Sequence, residues 1–139
     1  MLTGRALLPL IALPVAGCGG PGVDGKADES VKRLDARDRA AAQVLVELEE
    51  ASRDEDTERL CRRVYVYKGT TAGCERAFKT SLERAQIVSV EVEDVRLRGD
   101  TAVAQANVTI VDADDRRRTS RYTFRLIKRD MRWRVELLQ

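Results

Sequence analysis

The chain changes its hydrophobic period once, near Ile87, and this switch constrains its fold more than any other feature. Before it, Ala41, Val44, Leu45, Leu48 and Ala51 recur at spacings of three and four, which predicts an amphipathic helix over Asp35 to Ala51. A second helix is expected from Asp54 or Asp56, with acidic residues in its first turn and Arg62 and Arg63 in its last. Its buried face would hold Leu60, Cys61, Val64 and Tyr65. After a loop over Lys68 to Gly73, a third helix would carry Cys74, Ala77, Phe78, Ser81, Leu82 and Ala85 on one side.

From Ile87 onward the period is two. Val88, Val90 and Val92 share a face, Glu93 and Asp94 interrupt it, and Val95 and Leu97 resume with shifted parity, the pattern of a bulged strand. Gly99 and Asp100 turn the chain into a strand with Ala102, Ala104, Ala106, Val108 and Ile110 on one face. Beyond a polar loop from Asp112 to Arg118, a third strand presents Tyr122, Phe124 and Leu126, and a fourth Met131, Trp133, Val135 and Leu137. A turn at Arg129 and Asp130 would set Leu126 opposite Trp133, Phe124 opposite Val135 and Tyr122 opposite Leu137. The expectation is an α+β fold in which three N-terminal helices cover one face of a curved four-stranded antiparallel sheet.

Ahead of this lies a leader. Residues 1–17 combine a positive start with an apolar run from Ala6 to Ala16 that is too short to span a bilayer and is broken by Pro9 and Pro14. Val15, Ala16, Gly17 and Cys18 resemble the lipobox of bacterial lipoproteins, with ordinary secretion or a chance apolar start as the alternatives. The resemblance implies cleavage before Cys18, diacylglyceryl modification of its sulfur, and anchoring on the extracytoplasmic face of the cell membrane by two acyl chains. Residues 18–34 then read as the lipidated cysteine and a flexible spacer, and residues 35–139 as the folded domain. With Cys18 assigned to lipid, Cys61 and Cys74 remain as an even pair outside the cytoplasm, where a disulfide is the economical reading. In the chain-entropy picture such a bridge stabilises by roughly 3 kcal/mol.

Composition narrows function by exclusion. The 25 basic and 23 acidic residues leave a net charge of +2, so no global field gathers nucleic acid, and the chain has no histidine to act as base, metal ligand or pH switch. Two thiols without histidine leave a zinc shell half empty, and the 69–73 loop lacks the lysine and hydroxyl ending of a phosphate loop. No cofactor and no metal site is expected. Asp112, Asp114 and Asp115 lack the remaining ligands of a calcium loop, and Arg98, Gly99 and Asp100, the tripeptide read by integrins, are accounted for by a hairpin turn.

Three helices before a bulged sheet that closes on Trp133, Arg134 and Val135 resemble the cone-shaped fold of nuclear transport factor two-like and ketosteroid isomerase-like proteins, with a cystatin-like cover as the alternative. The resemblance spans about Asp35 to Gln139. It implies a cone interior in which a catalytic member would place a carboxylate or histidine. Here Glu91, Glu93 and Glu136 alternate with the core positions and so point outward, which leaves no catalytic residue to name and favours a non-catalytic binding or interaction domain over an isomerase-like enzyme. Tyr65, Tyr67, Ala104, Tyr122 and Trp133 are the residues a pocket for a small apolar ligand would use, the alanines either leaving space or letting the helices come close. Arg121, Arg125, Arg132 and Arg134 share the opposite face, with Arg125 expected opposite Arg134. Such a stripe would suit an envelope protein, a second copy of the chain or anionic headgroups.

Overall fold

The computed structural model describes residues 24–136. The leader, Cys18, the first part of the spacer and Leu137 lie outside them. The polypeptide forms α1 (Ala27–Lys32), α2 (Ala36–Arg53), α3 (Thr57–Arg59) running into a π-helical turn (Leu60–Val64), β1 (Tyr65–Val66), α4 (Thr71–Arg84), β2 (Ala85–Arg98), β3 (Thr101–Asp112), β4 (Arg117–Arg129) and β5 (Arg132–Glu136). No helix among the described residues is long and apolar enough to cross a membrane.

The helix α2 starts where the Asp35 carboxylate accepts the Asp38 N–H at 3.1 Å, as an N-cap does, and it buries Val44, Leu45, Leu48 and Ala51 as the spacing predicts. Asp56 caps α3 in the same way through the Arg59 N–H at 3.0 Å. The second predicted helix is shorter than expected: Tyr65 belongs to β1, because the β-branched and aromatic run Val64, Tyr65, Val66, Tyr67 favours extended chain once Leu60 and Val64 are buried. The disulfide between Cys61 and Cys74 then ties the π-helical turn to α4.

The sheet is curved and unclosed, in the order β1-β5-β4-β3-β2. It has five strands, one more than the sequence suggests, because the two residues of β1 pair in parallel with β5, Tyr65 against Val135. The bulge expected at Glu93 is present between Val92 and Asp94, and a second lies between Ile87 and Ser89. Ala102, Ala104, Ala106 and Val108 are almost fully buried, their short side chains letting the helical layer sit close.

Two expectations need correction. Residues 27–32 are not spacer. Ala27, Ser30 and Val31 are buried, and α1 lies along the outer edge of β2, where Ser30 Oγ accepts the Val92 N–H at 2.9 Å. The folded unit therefore begins before Asp35. The β4–β5 turn is Asp130 and Met131, with φ of 51° and 67°, so the register moves by two: Leu126 faces Val135 and Lys128 faces Trp133. Met131 sits at the tip, 85% exposed, and contributes nothing to the core.

Candidate functional site

The concave face of the sheet is filled toward the β2–β3 turn and open at its other end. There the strands continue past the helical cover and leave a cavity of about 370 Å³. Its walls are the inward side chains of Ile87, Val108, Ile110, Phe124 and Val135, closed on the helical side by Tyr65. This is the strand alternation carried one step beyond the packed core.

Tyr65 is held in place by the stacking of its ring on Phe78 of α4, with centroids 4.9 Å apart and planes at 21°. Burial pushes its hydroxyl up to about 12, so it stays protonated and able to donate. Across the opening, Tyr122 stacks on Phe124 with centroids 6.4 Å apart and is 42% exposed. Arg125 and Glu136 border the cavity where β4 meets β5, but they stand at the alternate, outward positions, and their ion pair, Arg125 Nε to Glu136 Oε1 at 3.4 Å, lies on the other face of the sheet. Glu93 points outward, accepting from Asn107 Nδ2 at 2.8 Å. Glu136 also points outward, paired with Arg125 on the face opposite the cavity.

Of the five pocket residues named from the sequence, Tyr65 and Tyr122 line this cavity. Ala104 is fully buried under the helices and marks close packing instead of space. Tyr67 is on the surface, its ring against Gly69, and Trp133 packs at the margin of the core. The aliphatic walls went unrecognised because alternation says which way Ile87 and Ile110 point and not how far the helices extend over them.

The arginine stripe also differs from expectation. Arg125 faces Glu136, Arg134 faces Ile127, and the directly opposed like charges are Arg129 and Arg132 beside the turn. Arg121 donates to Gln105 Oε1 and lies 3.7 Å from Glu93, and Arg134 donates to the Arg62 carbonyl at 2.6 Å. Much of the stripe is thus satisfied within the domain. Among the described residues, no cluster of histidine, cysteine and carboxylate side chains is arranged to hold a metal ion.

A buried carboxylate that the sequence reading passed over lies elsewhere, at the β2 edge. Glu49 Oε2 accepts the N–H groups of Ala27 at 2.9 Å and Val90 at 2.8 Å. Its burial raises the carboxyl above the ordinary glutamate value, against the lowering effect of those two bonds and of Arg53.

By sequence, the chain matches no protein-family model and no curated protein. By structure, it is similar to a SEC-C motif-containing protein from Rhodopseudomonas palustris, at TM-score 0.58 and 12% identity over 79% of this chain and 88% of that one. It is also similar to a nuclear transport factor two-like family protein from Streptomyces avermitilis described as a dehydratase, at TM-score 0.53 and 14% identity over 76% and 98% of the two chains. An epoxide hydrolase from M. tuberculosis, of the LEH-like type, aligns at TM-score 0.51 and 12% identity over 76% and 83%. At such identities the likeness establishes the fold alone, that of nuclear transport factor two-like proteins, and this fold does not fix an activity.

Proposed function

We propose that the domain is a non-catalytic binding module that takes a small apolar ligand into the open end of its cone. The observation that carries this reading is the cavity of about 370 Å³, with aliphatic and aromatic walls and few polar groups. Such a volume is at the small end of the range for ligand pockets, and its polar groups are suited to orienting a ligand. Burial holds the Tyr65 hydroxyl near 12, far from where a general base works at neutral pH. The Glu136 carboxylate points to the outer face and is engaged by Arg125.

The test is a titration with N-phenyl-1-naphthylamine, a small apolar probe that fluoresces in dry surroundings. Saturable enhancement that Ile110→Trp removes is the expected result. Equal binding by the two proteins would place the probe elsewhere and end the reading.

The lipobox-like segment at Val15 to Cys18 supports a second part of the proposal, that the domain is tethered at the membrane outside the cytoplasm. Intact mass and membrane fractionation of the full chain beside Cys18→Ser decide it. A diacylglyceryl adduct lost in the variant is expected, and a soluble, unmodified chain would refute the anchor.

A further inference from the structure

We propose that α4 is a lid on the pocket wall, latched by the Cys61–Cys74 bridge, and that thiol–disulfide exchange at this bridge loosens the wall. The inference rests on the pocket reading above and adds its regulation.

The helix is weakly held by burial. Of its 14 residues only Cys74 is fully buried, whereas α2 buries nine. Phe78 and Leu82 are half-buried, while Ala77 and Ser81, which the sequence placed on the inner face, are exposed. A stripe one side chain wide holds a helix far less firmly than the broad face of α2. At one end the helix follows the exposed segment 67–70, where Gly69 has φ of 132°, a backbone state that other residues rarely adopt. At the other it runs directly into β2 at Ala85.

Two rungs fasten α4 to the preceding segment. One is the disulfide, and the other is the stack of Phe78 on Tyr65. Phe78 is one helical turn beyond Cys74, and Tyr65 is four residues beyond Cys61, so the rungs join the same two stretches of chain. The second ends on the pocket, because Tyr65 is its helical-side wall. Breaking the first leaves the ring stack as the remaining tie between the helix and the wall, with Leu82 the other apolar side chain that packs the helix on the core.

Exchange would begin at Cys61, which is partly exposed, since Cys74 is 1% exposed. A thiolate of an external dithiol attacks the Cys61 sulfur, the bond to Cys74 breaks, and Cys74 leaves as a thiolate that takes up a proton. The second thiol of the dithiol then displaces Cys61. The bridge gains two electrons and two protons, and the dithiol is oxidised to a disulfide.

The experiment uses the full chain carrying Cys18→Ser, so that no third thiol intervenes. It compares the oxidised form, the form reduced with dithiothreitol, and the Cys61→Ser/Cys74→Ser variant. On losing the bridge, amide exchange over residues 71–84 should accelerate by about tenfold or more while β3 and β4 keep their protection. The Tyr65 hydroxyl should titrate closer to the ordinary tyrosine value. Unchanged exchange over 71–84 would overturn the proposal. So would equal acceleration throughout β3 and β4, which would make the bridge a staple of the whole domain. Probe affinity should shift by about fivefold or more between the oxidised and reduced forms, as expected where a site depends on a local opening. Equal affinity would refute the gate. An oxidised chain that binds no probe would sink the pocket reading and the gate with it, and exchange over 71–84 would separately decide the latch.

Discussion

Glu49 on α2 accepts the backbone N–H of Val90 on β2 at 2.8 Å, and the same oxygen accepts the N–H of Ala27 at 2.9 Å. One carboxylate thereby joins α1, α2 and the outer edge of the sheet. Ser52 Oγ accepts from Ile87 and Ser30 Oγ from Val92, each at 2.9 Å, so three side chains occupy the edge where another strand would pair.

The burial that raises the Glu49 carboxyl sets a pH dependence of definite sign. A folded-state value above the unfolded one means that the native state holds the proton more tightly. Its contribution is therefore fully present below the ordinary glutamate value and is lost as pH rises through the raised one. Glu49→Gln keeps an oxygen able to accept both N–H groups, so it should flatten this part of the stability profile. Glu49→Ala leaves two buried donors unpaired and should cost about 2–4 kcal/mol. Urea unfolding from acidic to neutral pH checks both, and an unchanged profile in the glutamine variant would assign the dependence to another group.

A chain shortened to begin at Asp35, the boundary suggested by composition, removes Ala27 and Val31 from the core and Ser30 from Val92. The loss should amount to about 3 kcal/mol or more. It should also produce concentration-dependent self-association through the bared β2 edge. Unfolding midpoints and light scattering measure the two effects. A shortened chain as stable and as monodisperse as the longer one would show that α1 is dispensable.

The β4–β5 turn holds Asp130 and Met131 in the left-handed region, where a side chain is strained. Met131 is 85% exposed and has little packing to lose. Met131→Gly should therefore stabilise the domain by about 1 kcal/mol, seen as a rise in the urea midpoint with an unchanged slope. Destabilisation would mean that the Met131 side chain makes a contact worth more than the strain.

This turn also shows what could be read from the sequence and what could not. The alternation of Trp133 and Val135 placed both correctly on the inner side although their partners were misassigned, because a slip of two residues preserves the faces of a strand while a slip of one reverses them. The bulge at Glu93 was visible as a change of parity. The bulge near Val88 was not, because the apolar residues around it allow either parity. The helix α1 escaped notice because Ala27, Ser30 and Val31 are a small buried set among Lys26, Asp28, Glu29 and Lys32, and a six-residue helix has too few turns to show a period. Glu49 stands beside Glu47 and Glu50 among the polar positions of α2, and nothing local marks it as buried, since its burial depends on where β2 lies. The pocket is legible only as residue types: tyrosines stand out in the sequence as candidate pocket residues, while the aliphatic walls look like any core strand.

The alanines of β3 give the sharpest test of where the empty space is. Ala104 is completely enclosed, and the two readings of its small side chain, close packing or a cavity, diverge on substitution. With the helical layer already in contact, Ala104→Leu must displace it, at a cost of about 1–3 kcal/mol. Ile110 lies on the same strand and the same face but at the open end, where Ile110→Trp can extend into the cavity. That variant should keep its stability to within about 1 kcal/mol while losing affinity for the apolar probe. Unfolding and probe titration of both variants complete the comparison. A neutral Ala104→Leu with a strongly destabilised Ile110→Trp would move the space to the middle of the sheet, and the site would have to be rebuilt around Ala104.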